Sequence, residues 1–273
     1  MPADPAVLDQ LRRRLAALDR GGIAARPAVG FGIDAIDSWL PGGGLATGAL
    51  HALAGARAGE PGDAPCGPVT ALAAILAGRR QRTTGGPVVW LARSGGRHES
   101  LHAPGLAAWG LEPWREHLLV VRVADAAGLL WAAEEALRES SVAAVCLEAD
   151  DIDLTASRRL TLAAEAGGTL GLVLPRAAAM RLGPLAATTL WEIASLPSAP
   201  ACPARLPGAP RWRLALRHAR GGRPGSWDVE WAEDARSMKG LLRLTPDTPA
   251  VPPLRTYSVH VGNHTDRRYV AVA

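Results

Sequence analysis

The stretch VAAVCLEADDIDLTASRRLTLAAEAGGTLGLVLPR, residues 142–176, decides the fold that the sequence predicts. Its two ends, residues 143–149 and 168–175, are short and almost continuously apolar, which is typical of strands buried on both faces. Residues 155–166 between them are predicted to form a helix. A strand, a helix and a second strand in this order indicate two parallel strands joined by a helical crossover.

The same alternation of short apolar strands and helices extends towards the N-terminus. It predicts strands at 49–54, 87–92 and 117–123, and helices at 69–82, 99–109 and 126–139. A short helix is also predicted around Ile33, Ile36 and Trp39. We therefore predict an α/β protein whose core, residues 28–196, is a mostly parallel sheet covered by helices on both faces.

The N-terminal region, residues 1–27, is predicted to be an amphipathic helix followed by a linker. Its apolar positions recur at helical spacing and comprise Val7, Leu8, Leu11, Leu15 and Leu18. Gly21 and Gly22 end the helix, and Arg26-Pro27 indicates an extended connection. The apolar side of this helix can pack on the core of its own chain or on a neighbouring subunit.

Beyond the core, the composition changes abruptly. Residues 197–210 carry five prolines in fourteen residues, which predicts a linker. The segments RWRLALRHA and SWDVEWA alternate like two antiparallel strands with GGRPG as their turn, so residues 211–244 are predicted to be a β-hairpin region. Residues 245–273 form a second proline-rich segment, a C-terminal tail.

Composition limits the possible functions only broadly. With 48% hydrophobic residues the chain is not a disordered protein, and its formal net charge of +4 permits contact with nucleic acid without requiring it. We find no secretion signal and no apolar run that spans a membrane, which predicts a cytoplasmic protein. The three cysteines, Cys66, Cys146 and Cys202, lack the spacing of metal ligands, so no metal site is predicted.

The stretch GDAPCGPV, residues 62–69, has the glycine spacing of a phosphate-binding loop but lacks its chemistry. Gly62 and Gly67 match the pattern G-x-x-x-x-G-K-[ST], in which the lysine and the hydroxyl contact phosphate and Mg²⁺. Pro68 and Val69 stand in those two places, and the single lysine of the chain is Lys239. An ordinary helix start explains Pro68 equally well, because proline fits the first helical turn.

Glu148 ends the strand at 143–149, where P-loop ATPases carry a Mg²⁺-binding carboxylate. Asp150, Asp151 and Asp153 follow it, and these acids can either hold a cation or begin a solvated helix. Gly62, Gly67, Pro68, Val69 and Glu148 together are interpreted as a degenerate nucleotide site. No catalytic residue is assigned and no cofactor is expected, with Mg²⁺-ATP as the alternative.

The hairpin region is rich in arginine. Six arginines and no acid lie between residues 205 and 223, at Arg205, Arg211, Arg213, Arg217, Arg220 and Arg223. In the strand that begins at Arg211, three of them share one face by the period of two. Such a face can follow a single-stranded DNA backbone while Trp227 or Trp231 stacks on bases. The alternatives are a solvated face with its tryptophans in the core, and a docking surface for a partner protein.

Four stretches together resemble the ImuA family of bacterial proteins over about residues 28–232. They are GFGIDAIDSWLPGGGLATGALHALAG, VVWLARSG, the stretch quoted at the outset, and RWRLALRHARGGRPGSWDVEW. The first is shared with RecA-type ATPases generally, whereas the Leu-Glu-Ala-Asp-Asp block and the hairpin ending are specific to ImuA.

The resemblance implies a RecA-like accessory protein of DNA-damage-induced, error-prone translesion synthesis, associated with the nucleoid when active. Its implied partners are ImuB, a Y-family polymerase homologue, and an error-prone C-family polymerase, with RecA and single-stranded DNA as further candidates. Because of Pro68 and Val69 we expect no ATP hydrolysis. Two alternatives are a DNA-dependent ATPase with an unconventional loop, in which Arg57 replaces the lysine, and an SOS cell-division inhibitor.

Overall fold

The computed structural model describes ten segments of the chain, residues 22–56, 67–94, 101–111, 117–150, 152–175, 182–198, 208–233, 240–245, 256–258 and 270–272. The helices within them are α1 (Asp34–Asp37), α2 (Gly67–Thr84), α3 (Ala103–Ala108), α4 (Ala126–Arg138) and α5 (Leu154–Gly167). No helix within these segments has the length and apolarity needed to cross a membrane.

The strands are short, as the sequence pattern predicts. They are β1 (Ala28–Val29), β2 (Leu45–Ala46), β3 (Ala49–Gly55), β4 (Val88–Arg93), β5 (Leu118–Val123), β6 (Ala144–Ala149), β7 (Leu170–Pro175), β8 (Thr189–Leu196), β9 (Arg211–Ala219), β10 (Gly225–Glu233), β11 (Gly240–Leu244), β12 (Thr256–Ser258) and β13 (Val270–Val272). β1 pairs with β2, and β12 pairs with β13, in two small antiparallel ladders.

Nine of the described strands form one sheet in the order β11-β10-β9-β8-β3-β7-β6-β4-β5. The strands from β8 to β5 in this order are parallel to their neighbours. β9, β10 and β11 continue the sheet beyond β8 in antiparallel fashion. The prediction of an α/β fold with a mostly parallel, helix-covered sheet and a C-terminal hairpin is confirmed, and the architecture is consistent with a RecA-like core.

Two hydrophobic clusters lie on opposite faces of the sheet. One contains the buried residues of α1, α2 and α3 and extends under β8–β11, where Trp191, Trp212 and Trp227 pack. The other lies beneath α4 and α5 against β4, β6 and β7. The strands between the clusters are apolar on both faces, which is why their sequences show no alternation.

The ends of the helices follow their local sequence. The carboxylate of Asp125 accepts a hydrogen bond from Gly128 N at the start of α4, and that of Asp153 accepts one from Ala156 N at the start of α5. Such N-caps satisfy backbone N–H groups that have no partner inside the helix. α5 ends at Gly168, whose φ of +68° is accessible to glycine at little cost.

The glycine-rich opening of the core is a tight loop built around Asp37. Its carboxylate accepts hydrogen bonds from the backbone N–H groups of Phe31, Gly32 and Ile33. A Cβ at Gly30 would lie 2.8 Å from Asp37 Oδ2, so this position has no room for a side chain. The motif therefore specifies a loop that covers the core cluster at α2.

Some strands were not predicted. β8 and β11 are absent from the predicted elements because β8 alternates buried and half-buried residues and so lacks the continuous apolar pattern of the other parallel strands. The helix predicted at 99–109 is described only as the shorter α3. The predicted N-terminal helix and most of the 197–210 linker lie outside the described residues.

Candidate functional site

The predicted phosphate-binding loop connects the central strand β3 with α2. Gly62 lies outside the described residues, whereas Gly67, Pro68 and Val69 form the first turn of α2. Val69 is only 1% exposed and packs in the core cluster. The side chain that stands in place of the metal-binding hydroxyl therefore points into the protein.

Glu148 ends β6, which is separated from β3 by β7. It is 6% exposed, and its carboxylate accepts a hydrogen bond from Trp90 Nε1 at 2.7 Å. This bond stabilises the buried carboxylate, since an unpaired buried charge would be costly. Glu148 is thus held in the sheet at the same edge as the start of α2.

A cavity of about 240 Å³ lies between the start of α2, α3 and the ends of β5 and β6. It brings together two of the predicted site residues, Gly67 and Glu148, and leaves out Pro68 and Val69. Its lining is Gly67, Thr70, Ala71, Leu101, His102, Gly105, Leu106, Trp109, Arg122 and Glu148. The polar members Thr70, His102 and Arg122 were not predicted as site residues.

The sequence carried only weak signals for these additional residues. Thr70 supplies a hydroxyl one position after the place that the phosphate-loop pattern assigns to it. Arg122 interrupts the apolar strand at 117–123. His102 is the N-cap of α3, where its Nδ1 accepts a hydrogen bond from Gly105 N at 3.1 Å.

The acidic residues that follow Glu148 have structural partners. Asp150 forms a 2.8 Å ion pair with Arg93, and Asp153 caps α5. Asp151 lies outside the described residues. Within the described segments, no group of three or more His, Cys, Asp or Glu side chains is arranged to hold a metal ion.

Cys146 and His51 are buried titratable groups away from the cavity. Burial raises the pKa of the Cys146 thiol well above its usual range, and the nearby charge of Glu148 adds to this effect. Burial lowers the pKa of His51 to about 4. Its imidazole is bonded between Thr189 Oγ1, at 2.8 Å, and Ala46 O, at 2.9 Å, so it joins β3 to β8 as a neutral group.

The arginines of β9 are paired with acids on the strands beside them. Arg213 makes two hydrogen bonds to the Asp228 carboxylate, at 2.7 and 2.8 Å. Arg217 bonds Glu192 of β8 at 2.6 Å. Arg211 bonds Glu230 at 3.0 Å. The face predicted to be basic is therefore a lattice of alternating charges on the outer side of β8–β11.

Glu230 is the most enclosed member of this charge lattice. It is 3% exposed and lies between Arg211 and Arg243, whose Nε is 2.6 Å from its carboxylate. Burial by itself would raise the pKa of Glu230, but the hydrogen bonds and charges of the two arginines lower it. The carboxylate is therefore ionised at neutral pH.

Arg220 and Arg223 are exposed at the turn between β9 and β10. The guanidinium of Arg223 lies 3.7 Å from the centre of the Trp39 ring, and Trp39 Nε1 donates a hydrogen bond to Arg223 O at 2.9 Å. This cation–π contact attaches the turn to the glycine-rich opening. Arg205 lies outside the described residues.

The tryptophans of the hairpin are buried. Trp227 is 2% exposed and packs near Trp39 and Trp191, with ring centres 5.8 and 6.0 Å away. Trp231 is 9% exposed and packs against Trp109. In this arrangement, stacking on a base would require either ring to leave the core. The other predicted contact surface, comprising Leu8, Leu11, Leu15 and Leu18, lies outside the described residues.

Comparison with known proteins was made at two levels. No family model matches the chain. The chain is 39% identical over 225 residues to Protein ImuA from two strains of Caulobacter vibrioides, NA1000 / CB15N and ATCC 19089 / CIP 103742 / CB 15. Each match covers 79% of this chain and 88% of the relative. The identity and the coverage together show that the chain belongs to the ImuA family.

Proposed function

We propose that this chain is a non-catalytic, RecA-like accessory subunit of a DNA-damage-induced translesion synthesis complex. In that complex it acts with an ImuB-like Y-family polymerase homologue and an error-prone C-family polymerase. The observation that carries the proposal is membership of the ImuA family, over most of the length of both chains. RecA and single-stranded DNA are further proposed partners, and the complex is proposed to work at the nucleoid.

The first turn of α2 supports the non-catalytic part of the proposal. Val69 is buried in the core and Pro68 has neither a charge nor a backbone N–H to offer a phosphate. Lys239, the single lysine of the chain, lies far along the sequence and outside the described residues. The residues that would neutralise a nucleotide's phosphates in a working loop are thus replaced.

One observation favours the alternative of a nucleotide-binding protein. Thr70, Gly67 and Glu148 line the same cavity, and a hydroxyl beside a carboxylate is a suitable environment for hydrated Mg²⁺. Under this alternative Thr70 would serve in place of the hydroxyl that Val69 lacks. The two candidate functions therefore differ in the role of a single threonine.

The test measures thermal unfolding of the purified protein with and without Mg²⁺-ATP, and binding to a purified ImuB-like protein. A ligand present at a hundred times its Kd stabilises a protein by about 2.7 kcal/mol. We expect no stabilisation by Mg²⁺-ATP and direct binding to the ImuB-like protein. A Mg²⁺-dependent shift that disappears in Thr70→Val would instead establish the nucleotide site.

A cell-based measurement separates the two functions further. In a strain that lacks the chromosomal copy, Thr70→Val and Glu148→Gln are expected to restore damage-induced mutagenesis as well as the wild-type protein does. Glu148→Gln is a suitable variant because its amide oxygen can still accept the hydrogen bond from Trp90. Loss of mutagenesis in both variants, with ImuB binding intact, would contradict a non-catalytic role.

A further inference from the structure

We propose that the free edge of β5 is a docking site for an extended segment of a partner protein, which adds to the sheet as a further strand and places an acidic side chain against Arg122. Among the described residues, β5 pairs with β4 alone and ends the large sheet. This edge is therefore open to a strand from another chain.

The direction of the backbone groups follows from two hydrogen bonds. His117 O accepts from Val88 N at 2.8 Å, and Val123 O accepts from Ser94 N at 2.9 Å. In a strand of this kind, successive residues direct their N–H and C=O groups to opposite sides. The odd-numbered residues thus face β4, and the groups that face the open side belong to Leu118, Val120 and Arg122.

The side chains at this edge are apolar and exposed on both faces of the sheet. Leu119 is 48% exposed and Val120, on the opposite face, is 45% exposed. Edge strands of natural proteins are usually protected from pairing by lysines, prolines or bulges. Residues 118–123 read LLVVRV and contain one charge, Arg122, so the edge is suited to the addition of a strand.

Arg122 gives the site its charge preference. It is half-buried and lines the cavity, and it has no hydrogen-bond or ion-pair partner within the described part of the chain. The register places Arg122 beside Ala92 of β4, and Ala92 is one residue beyond the pair of Leu91 with Leu147. Glu148 is therefore two strand spacings, about 10 Å, from Arg122.

Glu148 does not neutralise Arg122 at that distance, because its carboxylate is bonded to Trp90. A strand added to β5 would present the missing acid directly. On an antiparallel or parallel neighbour, side chains directly opposite each other lie on the same face and in contact. The residue opposite Arg122 is thus expected to be Asp or Glu, and its neighbours, opposite Val120 and Leu119, to be apolar.

This inference goes beyond the proposed function and does not depend on it. It names the surface and the chemistry of the segment that occupies it, whichever protein carries that segment. A failure of ImuB binding would leave the peptide test below unchanged, and a failure of the peptide test would leave the mutasome role unchanged.

The test uses two fluorescein-labelled synthetic peptides of alternating valine and threonine, one with a central Asp and one with a central Arg. By fluorescence anisotropy the wild-type protein is expected to bind the Asp peptide at least about fivefold more tightly, since opposite charges across strands attract and like charges repel. Hydrogen exchange at the amides of Leu118, Val120 and Arg122 should slow on binding. If neither peptide binds, or if these amides exchange unchanged, the inference is wrong.

Three variants complete the design. Val120→Pro removes an N–H that faces the open side, a substitution that edge strands tolerate, and should abolish binding while thermal unfolding stays cooperative. Should that variant fail to fold, Leu119→Thr provides the milder test and should weaken binding. Arg122→Glu should reverse the preference between the peptides; an unchanged preference would overturn the role of Arg122. Leu162→Thr, at another exposed apolar position, on α5, is the matched control and should bind like wild type.

Discussion

The two halves of the large sheet solve the problem of burial in different ways. The strands β3, β7, β6 and β4 carry helices on both faces and are apolar throughout. The strands β8–β11 are apolar on one face, and on the other they carry a lattice of paired charges in place of a helix. The difference teaches that arginine in this chain is not by itself a sign of nucleic acid: three arginines of β9 are matched by acids of the same sheet.

The comparison is tested most severely by Trp227→Ala, which removes a large side chain from the cluster shared by both halves. We expect a loss of about 3–5 kcal/mol in the free energy of unfolding, because truncation leaves a cavity. Denaturant unfolding followed by circular dichroism measures it. If hydrogen exchange rose only in β9–β11 while the parallel strands kept their protection, the two halves would be separate folding units. Leu162→Ala, exposed on α5, serves as the control.

The joint between the halves is His51, and it predicts a dependence of stability on pH. Its pKa is about 4 in the folded chain and about 6.5 when unfolded, so only the unfolded state binds the proton between these values. Stability should be fully present above pH 6.5 and fall towards pH 4, by up to about 3 kcal/mol.

Comparing wild type with His51→Gln isolates this contribution from that of the carboxylates. The variant is expected to be less stable at pH 7 but to lose less stability between pH 6.5 and pH 5. Equal slopes in the two proteins would mean that His51 is not the group that titrates.

The charge lattice itself is probed by Glu230→Gln. Replacing the carboxylate leaves Arg211, which is mostly buried, without its counter-ion, and we expect a loss of about 1–3 kcal/mol. Urea unfolding at neutral pH measures the effect. The result that would contradict the lattice is an unchanged stability together with unchanged hydrogen exchange in β9–β11.

Arg213→Ala should have the smallest effect. The guanidinium is about half exposed, so its two bonds to Asp228 are worth less than about 1 kcal/mol, and this contribution should shrink as salt is added. Single-stranded DNA binding by this variant sharpens the comparison further. A large loss of DNA affinity with little loss of stability would show that the lattice opens to bind phosphates.

The parallel half was predictable from the sequence because its strands are continuously apolar and separated by helices. The charge lattice was only partly predictable. The partnership of Arg213 with Asp228 follows from the hairpin register once GGRPG is recognised as the turn, but that of Arg217 with Glu192 depends on β8 pairing with β9 across a proline-rich connection. No local pattern specifies such a pairing.

The candidate site shows the same limit. The sequence predicted Gly67 and Glu148, which the fold brings to one cavity, because both follow strong strand patterns. Arg122 and His102 reach that cavity from β5 and α3, and their placement is set by the order of strands in the sheet. Spacing along the chain carries no information about that order, so these residues became candidates only with the fold.

The burial of Cys146 makes this thiol a natural clock for unfolding. A thiol whose pKa is raised and whose side chain is enclosed in the sheet does not react with alkylating reagents while the sheet is intact. In a protein with Cys66→Ser and Cys202→Ser, the rate of modification at Cys146 would report how often the centre of the molecule opens. The same thiol could then show, without any added probe, whether binding of a partner at the edge of the sheet keeps the interior closed.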